Sequence, residues 1–171
     1  MLLGLVLFYV GAVLILNGLW MLELIGEREI WVINIFVGSI SLLVALRLAL
    51  GADADVASVK TAAFSMLFSL TYLWVAANRF SGADGRGLGW FSLFVAITAL
   101  PVAADTLRGA QNTSDVWLGL SWVAWAILWW LFFLQLVLRK PVSRITAWVA
   151  IGEGILTGWL PGYLLLTGVI G

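Results

Sequence analysis

Ile145-Thr-Ala-Trp148-Val-Ala-Ile-Gly-Glu153-Gly-Ile-Leu-Thr157-Gly-Trp-Leu-Pro161-Gly-Tyr-Leu-Leu-Leu-Thr-Gly-Val-Ile170 is an apolar run that holds a single charge. About 20 apolar residues suffice to cross a bilayer as a helix. The nearest charge before Glu153 is Arg144, and none follows it. A carboxylate at mid-bilayer costs about 2.5–3.5 kcal/mol on insertion scales. Such a residue faces a bundle interior or a wet cavity and marks a pathway or a relay by default. The stretch therefore predicts a membrane protein and makes Glu153 the first candidate for function.

The rest of the chain agrees. Of its 171 residues 63% are apolar and only 11% are charged, against roughly 25% charged in soluble domains. That length is one domain's worth, residues 1–171, with no room for a soluble catalytic module beside the membrane part. Net charge is zero, so no basic or acidic surface suggests a nucleic-acid partner. There is no cysteine and no histidine. The lack of histidine removes the usual metal ligand, general base and near-neutral pH sensor. No cofactor and no enzymatic activity are expected.

Six apolar segments of spanning length are separated by short polar breaks, at roughly 1–22, 30–49, 58–78, 88–105, 116–138 and 145–169. The first lacks a basic start and a small-residue cleavage site, so it reads as a retained helix. Helices suit these runs because every backbone polar group must be paired in lipid. A barrel needs alternating residues, and these runs do not alternate. The expected fold is an all-α bundle of six transmembrane helices.

Basic residues set the orientation. Arg28, Arg79, Arg86, Arg139, Lys140 and Arg144 fall on one side, and Arg47, Lys60 and Arg108 on the other. The positive-inside rule then predicts both termini facing out, periplasmic in a bacterial inner membrane. Trp31, Trp90 and Trp148 open the even-numbered helices, and Asn17, Asn78 and Gln135 lie near the inner ends of the odd ones. Both sets recur about every sixty residues, as in three parallel hairpin repeats.

Trp122, Trp125 and Trp129 share one face of the fifth helix, within an arc of about 80°. Two readings stand: packing against lipid or core, and an aromatic wall along a narrow path. Leu7, Val10 and Leu14 form a like stripe on the first helix, extended by Asn17. Phe68 and Tyr72 are neighbours on the third. Glu153 shares its face with Thr157 and Leu160, and Gly152 and Gly154 permit close approach by another helix. Pro161 loosens the helix a turn later. The glycine-rich loop around Gly82–Gly89 is neither a P-loop nor a dinucleotide fingerprint. No carboxylates have metal-ligand spacing, and no nucleophile has a base beside it.

Several motifs resemble one family. Gly4-Leu-Val-Leu-Phe-Tyr-Val-Gly11 with Asn17-Gly18, Asn34-Ile-Phe-Val-Gly38 and Leu70-Thr-Tyr-Leu-Trp-Val-Ala-Ala-Asn78 are similar to the first three helices of the AmiS/UreI amide and urea channels. Trp90-Phe-Ser-Leu-Phe-Val-Ala-Ile97 with Pro101, Trp122-Val-Ala-Trp-Ala-Ile-Leu-Trp129 and Glu153-Gly-Ile-Leu-Thr-Gly-Trp-Leu-Pro161 resemble the last three. The resemblance implies a homo-hexamer in the bacterial inner membrane, with a pore inside each protomer and a cytoplasmic amidase or urease as partner. It implies a pore lined by Leu7, Val10, Leu14, Phe68, Tyr72, Trp125, Leu128 and Trp129, with Glu153 in the pathway. Trp122 joins them from the fifth-helix stripe. Acid-gated members carry histidine in periplasmic loops; this chain has none, and its compact length resembles the amidase-linked members.

The expectation is passive permeation of urea and short aliphatic amides. Aromatic faces would stack on the flat solute, while the Tyr72 hydroxyl, the indole N–H groups and the Glu153 carboxylate would replace some of its hydrogen bonds to water. Two rivals are a proton-coupled amide transporter using Glu153 and a scaffold that docks an amidase or urease.

Overall fold

A computed structural model describes residues 2–170. Six membrane-length helical spans carry the chain: α1 (Leu2–Met21), α2 (Ile30–Leu50), α3 (Val56–Ser81), α4 (Arg86–Arg108), α5 (Thr113–Leu136) and a sixth, Ser143–Leu166. The sixth comprises α6 (Ser143–Glu153), a π-helical turn (Gly154–Trp159) and α7 (Leu160–Leu166).

Local chemistry sets the ends. α3 begins earlier than its apolar run because Asp55 and Ser58 form a capping box, the Ser58 N–H donating to Asp55 Oδ1 at 2.7 Å. It ends at Gly82, whose φ of 66° is left-handed and closes the helix. α5 likewise starts at Thr113 because Asn112 accepts the Asp115 N–H at 2.9 Å. α1 stops where Glu23 takes a φ of 64°. There the Leu24 N–H donates to the Leu19 carbonyl at 3.0 Å and the Glu23 N–H to that of Trp20 at 2.8 Å. The π turn answers Pro161, which cannot donate to Thr157; widening the helix just before it lets the Leu160 N–H reach the Ile155 carbonyl instead.

Each span packs on its neighbours in the chain, and α1 closes the circle against the sixth. Among the described residues no span approaches another across the circle. The result is a ring of six helices, with side chains rather than backbone in its middle. The tightest pairs are α2 with α3, α4 with α5, and α1 with the sixth span. These are offset by one helix from hairpins counted from the N-terminus.

Glycines make the last pair possible. A Cβ on Gly158 would lie 2.5 Å from the Gly11 Cα, one on Gly11 2.1 Å from the Trp159 N, and one on Gly162 2.3 Å from the Phe8 N. Without a hydrophobic drive between helices in lipid, such close packing is what holds them together. Gly154 takes part, since its Cβ would fall 2.9 Å from the Gly11 carbonyl oxygen. Gly152 does not: a Cβ there meets nothing within 4 Å, because its face turns away from α1.

Candidate functional site

The odd-numbered helices bring their stripes to the middle of the ring. Leu7, Val10, Leu14, Phe68, Tyr72, Trp122, Trp125, Leu128 and Trp129 are all buried in one cluster. Two cavities run through it. The larger, about 510 Å³, opens on the face where α1 begins and is lined by Leu7, Val10, Phe64, Phe68, Trp122 and Trp125, with Lys60 and Asp105 at its rim. The smaller, about 30 Å³, lies deeper, among Leu14, Asn17, Phe68, Tyr72, Leu128 and Trp129. That is room for only a water or two. Phe68 and Trp125 are the two residues that line both, so they stand at the junction.

The junction is an aromatic cluster. Phe68 meets Trp122, Trp125 and Trp129 edge-on, with ring centroids 5.8, 4.8 and 4.7 Å apart. Trp122 and Trp125 meet in the same way at 5.1 Å. Edge-to-face pairs are the favoured aromatic geometry and stiffen the wall.

Two indole N–H groups are already used, which corrects the expectation that they serve a solute. Trp125 Nε1 donates to Thr157 Oγ1 at 2.8 Å, and Trp129 Nε1 to Thr71 Oγ1 at 3.3 Å. Each threonine hydroxyl in turn donates to a carbonyl of its own helix, Thr157 to Glu153 at 2.7 Å and Thr71 to Leu67 at 2.7 Å. The two threonines fix the ring orientations and leave the indole faces for the lumen. Thr71 carries no such cue in the sequence, because any threonine in an apolar helix bonds its own preceding turn.

Glu153 is buried at the end of α6, and its Oε2 has no hydrogen-bond partner. It lines neither of the two lumen cavities. Its backbone carbonyl accepts from Thr157, the residue that holds the Trp125 indole. Asn17, at the deep end of the α1 stripe, forms a reciprocal amide pair with Asn34. Asn17 Nδ2 donates to Asn34 Oδ1 at 3.1 Å and Asn34 Nδ2 to Asn17 Oδ1 at 2.7 Å. Among the described residues no group of His, Cys, Asp or Glu side chains is placed to hold a metal ion.

Six membrane-length helices closed into a ring around two aromatic-lined cavities define a membrane transport protein. The model of the AmiS/UreI family of transporters matches residues 2–169. The chain belongs to that family. It is 40% identical over 166 residues to a Mycolicibacterium smegmatis protein named as an amidate substrates transporter, covering 96% of this chain and 76% of that one. It is 38% identical to the acid-activated urea channel of Helicobacter pylori, over 95% of this chain and 96% of the relative. The cryo-electron microscopy structure of the H. pylori urea channel in a closed state superposes with a TM-score of 0.86 at 37% identity, covering 99% of this chain and 100% of the other. The crystal structure of that channel gives 0.84 at 35% identity, covering 100% of both chains.

Proposed function

We propose that the chain is a single channel domain through which small neutral amides, urea and short aliphatic amides, diffuse passively. The path runs between the six helices past Leu7, Val10, Trp122, the Phe68–Trp125 junction, Leu14, Tyr72, Leu128 and Trp129. One observation carries the reading: two cavities meet end to end at an aromatic junction inside a closed helix ring. The names of the relatives supply the solute class.

The walls account for selectivity. Apolar and aromatic side chains cannot replace an ion's hydration shell, so ions stay out. Flat amides pass against the faces of Phe68, Trp122 and Trp125, and the Tyr72 hydroxyl offers a polar contact beyond. Binding stays weak, or the solute would not leave. The working form is a homo-hexamer in the bacterial inner membrane with both termini outside, serving a cytoplasmic amidase or urease. The family resemblance and the excess of basic residues in the predicted inner loops support this assembly and orientation.

Stopped-flow uptake into proteoliposomes tests the reading. Urea and acetamide fluxes should rise linearly with concentration and ignore a proton gradient. Permeability no greater than that of empty vesicles would rule the channel out. The partnerless Glu153 Oε2 favours one rival, a proton-coupled amide transporter; flux driven by a proton gradient would establish it instead.

A further inference from the structure

Three stripes cross the lumen in one register. On α1 the lumen positions are Leu7, Val10, Leu14 and Asn17. On α3 the same steps of three, four and three residues lead from Phe68 through Thr71 and Val75 to Asn78. On α5 they lead from Trp125 through Leu128 and Phe132 to Gln135. Such a step pattern keeps four side chains within an arc of about 80° on one helix face. Every member before the last lines one or both lumen cavities. Each stripe ends on a side-chain amide.

The three amides sit at equivalent inner ends of their stripes. The Asn17 side chain faces the deeper cavity, and its pairing with Asn34 leaves one N–H and one carbonyl lone pair unused. Asn78 is buried and lines a cavity of about 540 Å³ that opens on the opposite face, beside the α1–α2 and α3–α4 connections. Gln135 Oε1 is buried with no hydrogen-bond partner. The ends of α3 and α5 converge at Gly85, where an added Cβ would meet Leu136 at 3.1 Å and Asn78 Nδ2 at 4.0 Å.

We infer that Asn17, Asn78 and Gln135 form an amide station that recognises the solute's carboxamide where it leaves the aromatic part of the lumen. This rests on the channel reading above. A solute that has crossed the dry junction has shed water and needs donors and acceptors together. A primary amide pairs reciprocally with an open side-chain amide such as that of Asn78 or Gln135, N–H to C=O in both directions, in the geometry that Asn17 and Asn34 display. Asn17 itself, its matched edge taken by Asn34, offers a single N–H or lone pair. A diol of equal size has no such matched edge. The station thus selects amides by hydrogen bonding, after the junction has selected by shape.

The test uses proteoliposomes and two solutes with the same number of non-hydrogen atoms, acetamide and ethylene glycol. Asn17 is left intact because its amide also holds Asn34. Gln135→Met and Asn78→Leu should each lower the acetamide-to-ethylene-glycol permeability ratio about fivefold, the worth of one hydrogen bond. A ratio unlike wild type in either folded variant, in that direction, supports the station. Wild-type ratios in both variants, with wild type conducting acetamide, would overturn the station alone. Wild type no more permeable to acetamide than empty vesicles would overturn the channel reading and the station with it.

Discussion

Phe68 presents its edge to the indole of Trp125, with ring centroids 4.8 Å apart and planes at 83°, at the point where the two lumen cavities meet. This pair comes from different helices, α3 and α5, whose backbones do not approach each other. The side chains alone close the gap between them, so the pair is the narrow point of the proposed path.

Phe68→Ala removes that narrowing. Glycerol permeability of proteoliposomes should rise several-fold relative to urea, measured by light scattering. An unchanged glycerol-to-urea ratio would show that discrimination lies elsewhere.

The Trp125–Thr157 hydrogen bond orients the ring. Thr157→Val leaves the indole N–H buried and unpaired, which should cost about 1 kcal/mol and lower the melting temperature in detergent. In a Trp125→Phe background the same substitution should cost less, because no N–H is then orphaned. Equal losses in both backgrounds would mean that the bond contributes nothing to stability.

Two glycines of the sixth span make a paired test. Gly158→Ala forces a Cβ to 2.5 Å from the Gly11 Cα, whereas Gly152→Ala meets nothing within 4 Å. Overpacking costs about 1–3 kcal/mol, so thermal unfolding should separate the two variants clearly. Similar melting temperatures would argue against the close seam between α1 and the sixth span.

Asp55 caps α3, and the backbone N–H of Ser58, followed by its hydroxyl, holds the Asp55 carboxyl below its ordinary range. A lowered carboxylate stabilises the fold above its unfolded value, about 3.9, and loses that effect as pH falls through the folded value. Protection of the first turn of α3 in hydrogen exchange should therefore hold from pH 8 to 5 and weaken only in stronger acid. Asp55→Ala should abolish the protection at every pH. Loss of protection near pH 6 in the native protein would contradict this assignment.

Glu153→Gln should change urea flux or assembly more than any single substitution in a connecting loop. The residue is buried, its Oε2 is unpartnered, and its carbonyl anchors the Thr157–Trp125 chain. Wild-type flux and yield in that variant would make it a bystander.

Much of this was legible in the sequence because hydropathy and helical spacing carry it. Six spans follow from apolar length, and the stripes of Leu7, Phe68 and Trp125 follow from the helical repeat. The ends of α3 and α5 shifted because caps such as Asp55 and Asn112 are polar and lie outside an apolar run. The ring closure of α1 on the sixth span needs backbone proximity at Gly11 and Gly158, which spacing alone does not reveal. Trp125 and Trp129 looked like free donors because their threonine partners sit on other helices. Glu153 is marked in the sequence as a lone charge in an apolar run, and the fold adds what the sequence could not, its tie to Trp125 through Thr157.

The most direct test of a path between the six helices exploits the absence of native cysteine. Leu7→Cys places a thiol in the larger cavity, and Leu43→Cys places one on the exposed outer face of α2. Reaction with a small methanethiosulfonate should abolish urea flux in the first variant and leave the second unchanged. Equal flux before and after labelling at Leu7→Cys, with labelling confirmed by mass, would contradict a lumen inside the protomer.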